Sequence, residues 1–282
     1  MSNERGLSLG KFEGYVLVSD FDGTLIDDKT TISQENIDAI QSFTDQGGVF
    51  LGATGRTELN VRPFTGNIAL SSPWILYNGA AIYDWTSGAF IYKAPLDRRL
   101  SEGFLSRVME RFASVNIQVF PGGPFFQVNG GARLDSQAVL EDQHYKNRPM
   151  EALGDDWLKV LFCSDYPDEL NAIEALLDAD PLLPHVHKTR SGPRYFELTA
   201  HGVNKGSALA HLKTLLQPTP RKVVAIGDYL NDIEMLQEAD IAAAPQSAMP
   251  EVKQHARIIT TDHTRSAVAD LIRQLEAMCS QE

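Results

Sequence analysis

The sequence predicts an α/β fold, a Rossmann-like parallel-sheet core with an inserted α+β cap domain. Two observations carry this expectation. Short apolar runs at residues 15–18, 49–53 and 223–226 each end in a polar group and alternate with helix-like segments. Such alternation reads as parallel strands joined by right-handed crossovers. The rhythm then breaks at about residue 95 and resumes at about 199, which places the core at 1–94 and 199–282 and the cap at 95–198. A length of 282 suits two domains, at roughly 150 residues each.

The elements follow in order. Residues 15–18 are apolar, aromatic or β-branched and read as a buried strand. Ser33 can cap a helix running to about Gln46, with Ile37, Ile40 and Phe43 on one face and Gly47-Gly48 as its end. A second strand spans 49–53 and a third 74–77, and residues 81–92 alternate around Thr86-Ser87-Gly88 as a hairpin. In the insert, 96–113 and 167–177 read as helices, and 117–120, 125–128, 157–163, 185–188 and 195–198 as strands. A polar stretch covers 134–149, with Lys146-Asn147-Arg148 as a solvated loop. The core resumes with a helix at 204–216, a strand at 223–226, a helix at 230–238, a last short strand at 241–244 and a closing helix at 267–278.

The net charge of −12 argues against a nucleic-acid surface. No run of apolar residues is long enough for a membrane span, and the polar start of the chain lacks the apolar stretch of a secretory signal. The two cysteines, Cys163 and Cys279, lie far apart, which fits a reduced cytoplasmic setting. The expected state is a monomer or homodimer. A chain this acidic that binds an anion needs local positive charge.

The first strand runs into Asp20-Phe21-Asp22-Gly23-Thr24. If the extended backbone continues, both carboxylates lie on one side. Side by side they repel, and one of them holds a proton near neutral pH. The plain alternative is a turn, since Asp-Gly is ordinary turn chemistry. Asp20, Thr54 and Asp228 each end a buried run, and ligands bind at the carboxyl ends of strands in open α/β sheets. Asp20, Asp22, Asp228 and Asp232 then bring four carboxylates together, and such crowding calls for a cation. Hard oxygen ligands point to a hard divalent cation such as Mg2+. Lys205 sits in the first turn of its helix, where the macrodipole disfavours a cation unless an anion binds there too. The alternative is a solvated surface lysine.

Four motifs occur in order: Asp20-Phe21-Asp22-Gly23-Thr24, Ala53-Thr54-Gly55-Arg56, Asn204-Lys205-Gly206 and Gly227-Asp228-Tyr229-Leu230-Asn231-Asp232. Together with Asn78-Gly79-Ala80 they resemble the haloacid dehalogenase-like hydrolases, and within them the Cof-type sugar-phosphatase branch. The resemblance implies that Asp20 is a nucleophile forming an aspartyl-phosphate and that Asp22 is the acid and base. It implies Mg2+ held by the side chains of Asp20 and Asp228 and the backbone oxygen of Asp22, with Asp232 acting directly or through water. Thr54, Gly55, Lys205 and Asn231 would bind the phosphoryl group. Arg56 would reach the phosphate or the leaving group, or form a structural salt bridge instead.

One departure concerns the loop after the strand at 241–244. The family often carries a Met-Gly-Asn-Ala-like sequence there, and here Ala242-Ala243-Ala244-Pro245-Gln246 stands instead. Gln246 or Ser247 would have to replace the missing polar contact. In the insert, Arg190, Arg194 and Glu197 are candidate substrate contacts. His185 and His187 share a strand side as two zinc ligands could, but no further ligand stands at a suitable spacing, so a surface strand is the better reading. Cys163, Tyr195 and Phe196 are expected in the core or the cap floor. The expected function is a Mg2+-dependent phosphatase of small phosphorylated metabolites, sugar phosphates above all. The rivals are a phosphomutase and a non-catalytic phosphate-binding regulatory module.

Overall fold

Every residue of the first strand, β1 (Tyr15–Asp20), is buried. The computed structural model describes residues 10–66, 68, 70–129 and 145–280. Helix α1 (Gln34–Asp45) starts where the Ser33 hydroxyl accepts from the Asn36 N–H, and it buries Ile40 and Phe43. It leads to β2 (Val49–Ala53), then a one-turn helix α2 (Glu58–Val61) capped by Thr57. β3 (Trp74–Leu76) is followed by the hairpin of β4 (Ala81–Asp84) and β5 (Ala89–Lys93).

The insert comprises α3 (Arg98–Arg111), β6 (Asn116–Phe120), β7 (Phe125–Gln127), β8 (Tyr145–Asn147), β9 (Lys159–Cys163), α4 (Pro167–Asp178), β10 (Val186–Gly192) and β11 (Tyr195–Ala200). The chain then returns through α5 (Lys205–Leu215), β12 (Lys222–Ile226) and a 3-10 turn at Leu230–Asp232 that leads into α6 (Ile233–Glu238). β13 (Ile241–Pro245), α7 (Pro250–Lys253), β14 (Ile258–Thr260) and α8 (Ala267–Cys279) complete it.

The first sheet has the order β14-β13-β12-β1-β2-β3-β4-β5. Its pairs are parallel from β14 to β3 and antiparallel from β3 to β5. β1 therefore lies between β12 and β2, and the three motif-bearing strands end side by side. The second sheet has the order β10-β11-β9-β6-β7-β8 and is antiparallel except for the β7–β8 pair. This is the α/β core with an inserted α+β cap.

Two readings of the sequence need correction. The strand at 241–244 is not the last, because β14 pairs beside it. Residues 145–147 are not a loop but an edge strand, and Arg148 lies over the Phe126 ring at 5.0 Å. Each missed strand has three residues, and β8, Tyr145-Lys146-Asn147, offers no apolar run to mark it. The rest of the polar stretch, 134–144, lies outside the described residues.

The cap has an apolar core of its own around Phe104, Trp157, Phe162 and Phe196, with Cys163 buried in β9. Phe120, Phe125, Leu158 and Leu161 instead join the cluster of the first sheet, beside Tyr77. Burying each such side chain contributes about 1.5–3 kcal/mol, so apolar contact docks the cap. Among the described residues no helix is long and apolar enough to cross a membrane.

Candidate active site

The strand order sets Asp20 at the end of β1, Thr54 just after β2 and Asp228 just after β12 on one rim. Gly23 makes the approach possible. Its φ is +78°, and a Cβ there would lie 2.6 Å from Asp228 Oδ2. Thr24 Oγ1 donates to Asp228 Oδ1 at 3.1 Å. The Asp228 N–H and the Tyr229 N–H donate to Asp232 Oδ2 at 3.0 and 3.1 Å, so Asp232 braces the loop that carries Asp228.

Lys205 points into the protein. Its Nζ donates to Asp20 Oδ1 at 2.5 Å and to Asp232 Oδ1 at 2.6 Å, with the whole side chain buried. Burial works against the ammonium, but the charges of Asp20 and Asp232 outweigh it and raise its pKa. The alternative of a solvated surface lysine is thereby set aside. Its helix start is served by Asn204, whose side chain accepts from Ser207 N.

Asp20, Asp228 and Asp232 each offer an oxygen within 4.8 Å of the others. Burial and then the Asp232 charge push Asp20 well above the ordinary carboxylate range, although Lys205 pulls it down. The same two causes raise Asp228 to about 7. Asp20 Oδ2 is buried without a hydrogen-bond partner. An orphaned carboxylate oxygen facing crowded carboxylates fits a hard divalent cation. Charge supports the same fit. Among the described residues of the cavity and the layer beneath it, Arg56, Lys159 and Lys205 face Asp20, Asp22, Asp28, Glu197, Asp228 and Asp232. The protein's own cations are already matched by carboxylates, so a phosphate ester needs positive charge from elsewhere.

Asp22 does not join this cluster. The chain turns after β1, so the two-residue period does not carry past Asp20. Both Asp22 oxygens accept from Arg56, Oδ2 from Nε at 2.8 Å and Oδ1 from Nη2 at 2.7 Å. The expectation of four convergent carboxylates is corrected to three among the described residues. The Arg56 guanidinium lies 5.5 Å from the Phe21 ring centre and 4.8 Å from that of Phe64, so its salt-bridge reading holds in this structure.

Thr54 is buried, and its hydroxyl accepts from the Arg56 N–H at 3.1 Å. Asn78 adopts a left-handed backbone, φ 54°, and its N–H donates to Thr54 O at 3.0 Å. Asn231 Nδ2 donates to Asn78 Oδ1 at 3.0 Å. Gly79 has no room for a side chain, since a Cβ would lie 2.1 Å from Asn204 O. The loops after β2 and β3 and the start of α5 are thus locked together.

A cavity of about 510 Å³ opens above this floor. The core lines it with Asp20, Asp22, Thr54, Gly55, Arg56, Asp228 and Asn231, and the cap with Gln118, Phe120, Lys159, Leu161, Ser191, Tyr195 and Glu197. Arg190 and Arg194 do not line it. Arg190 pairs with Glu174 at 3.0 Å and Arg194 with Asp165 at 2.5 Å, so α4 and the turn before it take the charges expected to meet substrate. Gln246 and Ser247 are not in the lining either. Gln246 Oε1 accepts from Arg265, and Ser247 Oγ lies 2.9 Å from His263 Nδ1. His187 faces Glu234, and no His or Cys joins a metal-spaced group among the described residues. Sequence reasoning missed Lys159, whose signal was a lone lysine inside an apolar strand.

Comparisons with known proteins agree with this architecture. The model of the haloacid dehalogenase-like hydrolase family matches residues 17–272. A 5-amino-6-(5-phospho-D-ribitylamino)uracil phosphatase of Bacillus subtilis is 30% identical over 92% of this chain and 94% of its own. An HMP-PP phosphatase of Klebsiella pneumoniae is 27% identical over 83% of this chain and 85% of its own. The crystal structure of a haloacid dehalogenase-like hydrolase from Bacteroides thetaiotaomicron superposes with a TM-score of 0.80 at 25% identity, covering 94% of this chain and 99% of that one.

Proposed function

Because the chain belongs to the haloacid dehalogenase-like hydrolases and is a phosphatase, we propose that it hydrolyses small phosphorylated metabolites, sugar phosphates first among them, with Mg2+ as its cofactor. Asp20 carries this reading. It lies on the cavity floor with one oxygen held by Lys205 and the other without a hydrogen-bond partner. That is the arrangement of an oriented nucleophile.

Asp20 attacks phosphorus and the bond to the ester oxygen breaks. Asp22 gives that oxygen its proton, then takes one from the water that cleaves the aspartyl-phosphate. For this, Asp22 has to exchange Arg56 for the leaving oxygen. Lys205 keeps Asp20 in place, while Thr54, Gly55 and Asn231 hold the phosphoryl oxygens. Asp20, Asp228 and the backbone oxygen of Asp22 would hold the cation, with Asp232 bracing the Asp228 loop. When bound, Mg2+ supplies the positive charge that phosphoryl transfer needs. The cap, about 95–198, closes the site and excludes water.

Phe120 and Tyr195 line the cavity beside Gln118 and Ser191, and this favours a second substrate class. Phe120 is almost fully buried and stacked on Phe125, so a pentitol or sugar phosphate bearing a planar heterocycle would meet the half-buried Tyr195. The compound named for the Bacillus relative is of that kind. A panel of phosphate esters that includes both classes, assayed for released phosphate with Mg2+ and with chelator, tests the reading. Isomeric product without free phosphate would identify a phosphomutase instead.

A further inference from the structure

Lys159 on β9 and Glu197 on β11 are cap residues, and both are almost fully buried. They pair at 2.9 Å. Each also reaches the core. Lys159 Nζ donates to the Gly55 carbonyl at 2.7 Å. Glu197 Oε2 accepts from Asn78 Nδ2 at 2.7 Å, and its other oxygen accepts from the Ser191 hydroxyl. Asn78 in turn accepts from Asn231 Nδ2 at 3.0 Å.

We propose that the Lys159–Glu197 pair is a positioning device for the phosphoryl group, so that the phosphate-binding loop is complete only when the cap is docked. The inference rests on the reading of Gly55 and Asn231 as holders of that group. The peptide joining Gly55 to Arg56 is gripped at both ends. Its carbonyl accepts from Lys159 and its N–H donates to the Thr54 hydroxyl at 3.1 Å. Without Lys159 the plane of that peptide is held from the core side alone. Asn231 is reached by the other arm, because Glu197 engages the Asn78 amide nitrogen and leaves the Asn78 oxygen to Asn231.

A purely adhesive role does not account for the pair. Phe120, Phe125, Leu158 and Leu161 already dock the cap by apolar contact. A buried ion pair is often no more stabilising than apolar residues of the same volume. What charge adds here is a directed contact to a backbone carbonyl and to one face of an amide. A role confined to leaving-group recognition makes a different prediction, since it would spare any ester too small to reach the cap.

The test uses acetyl phosphate, whose leaving group is the small acetate ion, and p-nitrophenyl phosphate, which releases a larger phenolate. Lys159→Met combined with Glu197→Gln removes both charges, so neither is left buried alone. The double variant should melt near the parent temperature while kcat falls on the order of 10²-fold on both esters alike. Lys159→Arg, which keeps a donor for the Gly55 carbonyl, should recover part of the loss. If the double variant fails to fold, Glu197→Gln alone should lower kcat on both esters by one common factor. A folded variant that keeps the parent kcat on acetyl phosphate overturns the inference. Asn231→Ala, read by inhibition with inorganic phosphate, separates the two levels. An unchanged inhibition constant means that the phosphate-site reading fails, whereas a raised one beside an unaffected double variant means that the positioning role alone fails.

Discussion

Arg56 holds both carboxylate oxygens of Asp22, at 2.7 and 2.8 Å, and its guanidinium lies over the rings of Phe21 and Phe64. A bidentate grip fixes orientation as well as charge. Asp22 is nevertheless half-exposed, so the pair itself contributes only about 0–1 kcal/mol to stability. Arg56→Met should therefore unfold at nearly the parent urea concentration, with a modest loss from the two ring contacts. Its kcat on p-nitrophenyl phosphate should fall by up to roughly 10²-fold, because Asp22 is no longer held at the cavity before it turns from Arg56 to the reacting oxygen. A large stability loss with unchanged kcat would make Arg56 a structural pin.

Lys205 presents the opposite case. It is fully buried between Asp20 and Asp232. Removing one partner of a buried pair leaves charge without compensation and costs about 3–5 kcal/mol. Lys205→Met should lower the urea midpoint accordingly and stop turnover. An unchanged midpoint would show that the two carboxylates do not depend on the ammonium.

The cluster of Asp20, Asp228 and Asp232 sets a metal prediction. Chelator should abolish turnover and Mg2+ should restore it. Mg2+ alone, without substrate, should raise the melting temperature, since a ligand that binds only the folded state stabilises it by mass action. Asp228→Asn should weaken both responses. Full activity in metal-free buffer would contradict the site as described.

His187 gives a pH prediction at the cap boundary. Its Nε2 lies 3.8 Å from Glu234 Oε1 of the core. Burial lowers its pKa below 6.5, Glu234 opposes that, and His201 adds to the lowering. With the folded value depressed, the unfolded chain takes up the proton first. The stability contribution is complete above about 6.5 and is lost as pH falls through the folded value. His187→Gln should remove this dependence, so the parent's melting advantage over the variant should be larger near pH 7.5 than near pH 5.5. The reverse order would mean that the Glu234 pair dominates.

The core strands were legible because β1, β2 and β12 are buried on both faces and read as unbroken apolar runs. β8 was not, since Tyr145-Lys146-Asn147 offers no apolar run, and neither was the three-residue β14. Asp20, Thr54, Lys205, Asp228, Asn231 and Asp232 meet at one rim because adjacent parallel strands end there. The orientation of Asp22 was not legible, since the extended backbone stops at Asp20 and Arg56 decides where the carboxylate points. Nothing in the sequence around Arg190 and Arg194 marks Glu174 and Asp165 as their partners, which only the fold brings to them. Lys159 carried a signal, a charge inside an apolar strand, but its partners Gly55 and Glu197 are brought to it only by the docking of the cap.

Acid quenching of Asp22→Ala during reaction with p-nitrophenyl phosphate tests the nucleophile most directly. An activated phenol leaves without a proton donor, while hydrolysis of the intermediate needs the base and should slow by something like 10²–10⁴-fold. The expected result is a burst of phenol, little free phosphate, and a trapped phosphoryl group on Asp20 that Asp20→Asn does not acquire. Turnover by Asp22→Ala at the parent rate on both aryl and alkyl esters, with no phosphoryl group on Asp20, would contradict the account.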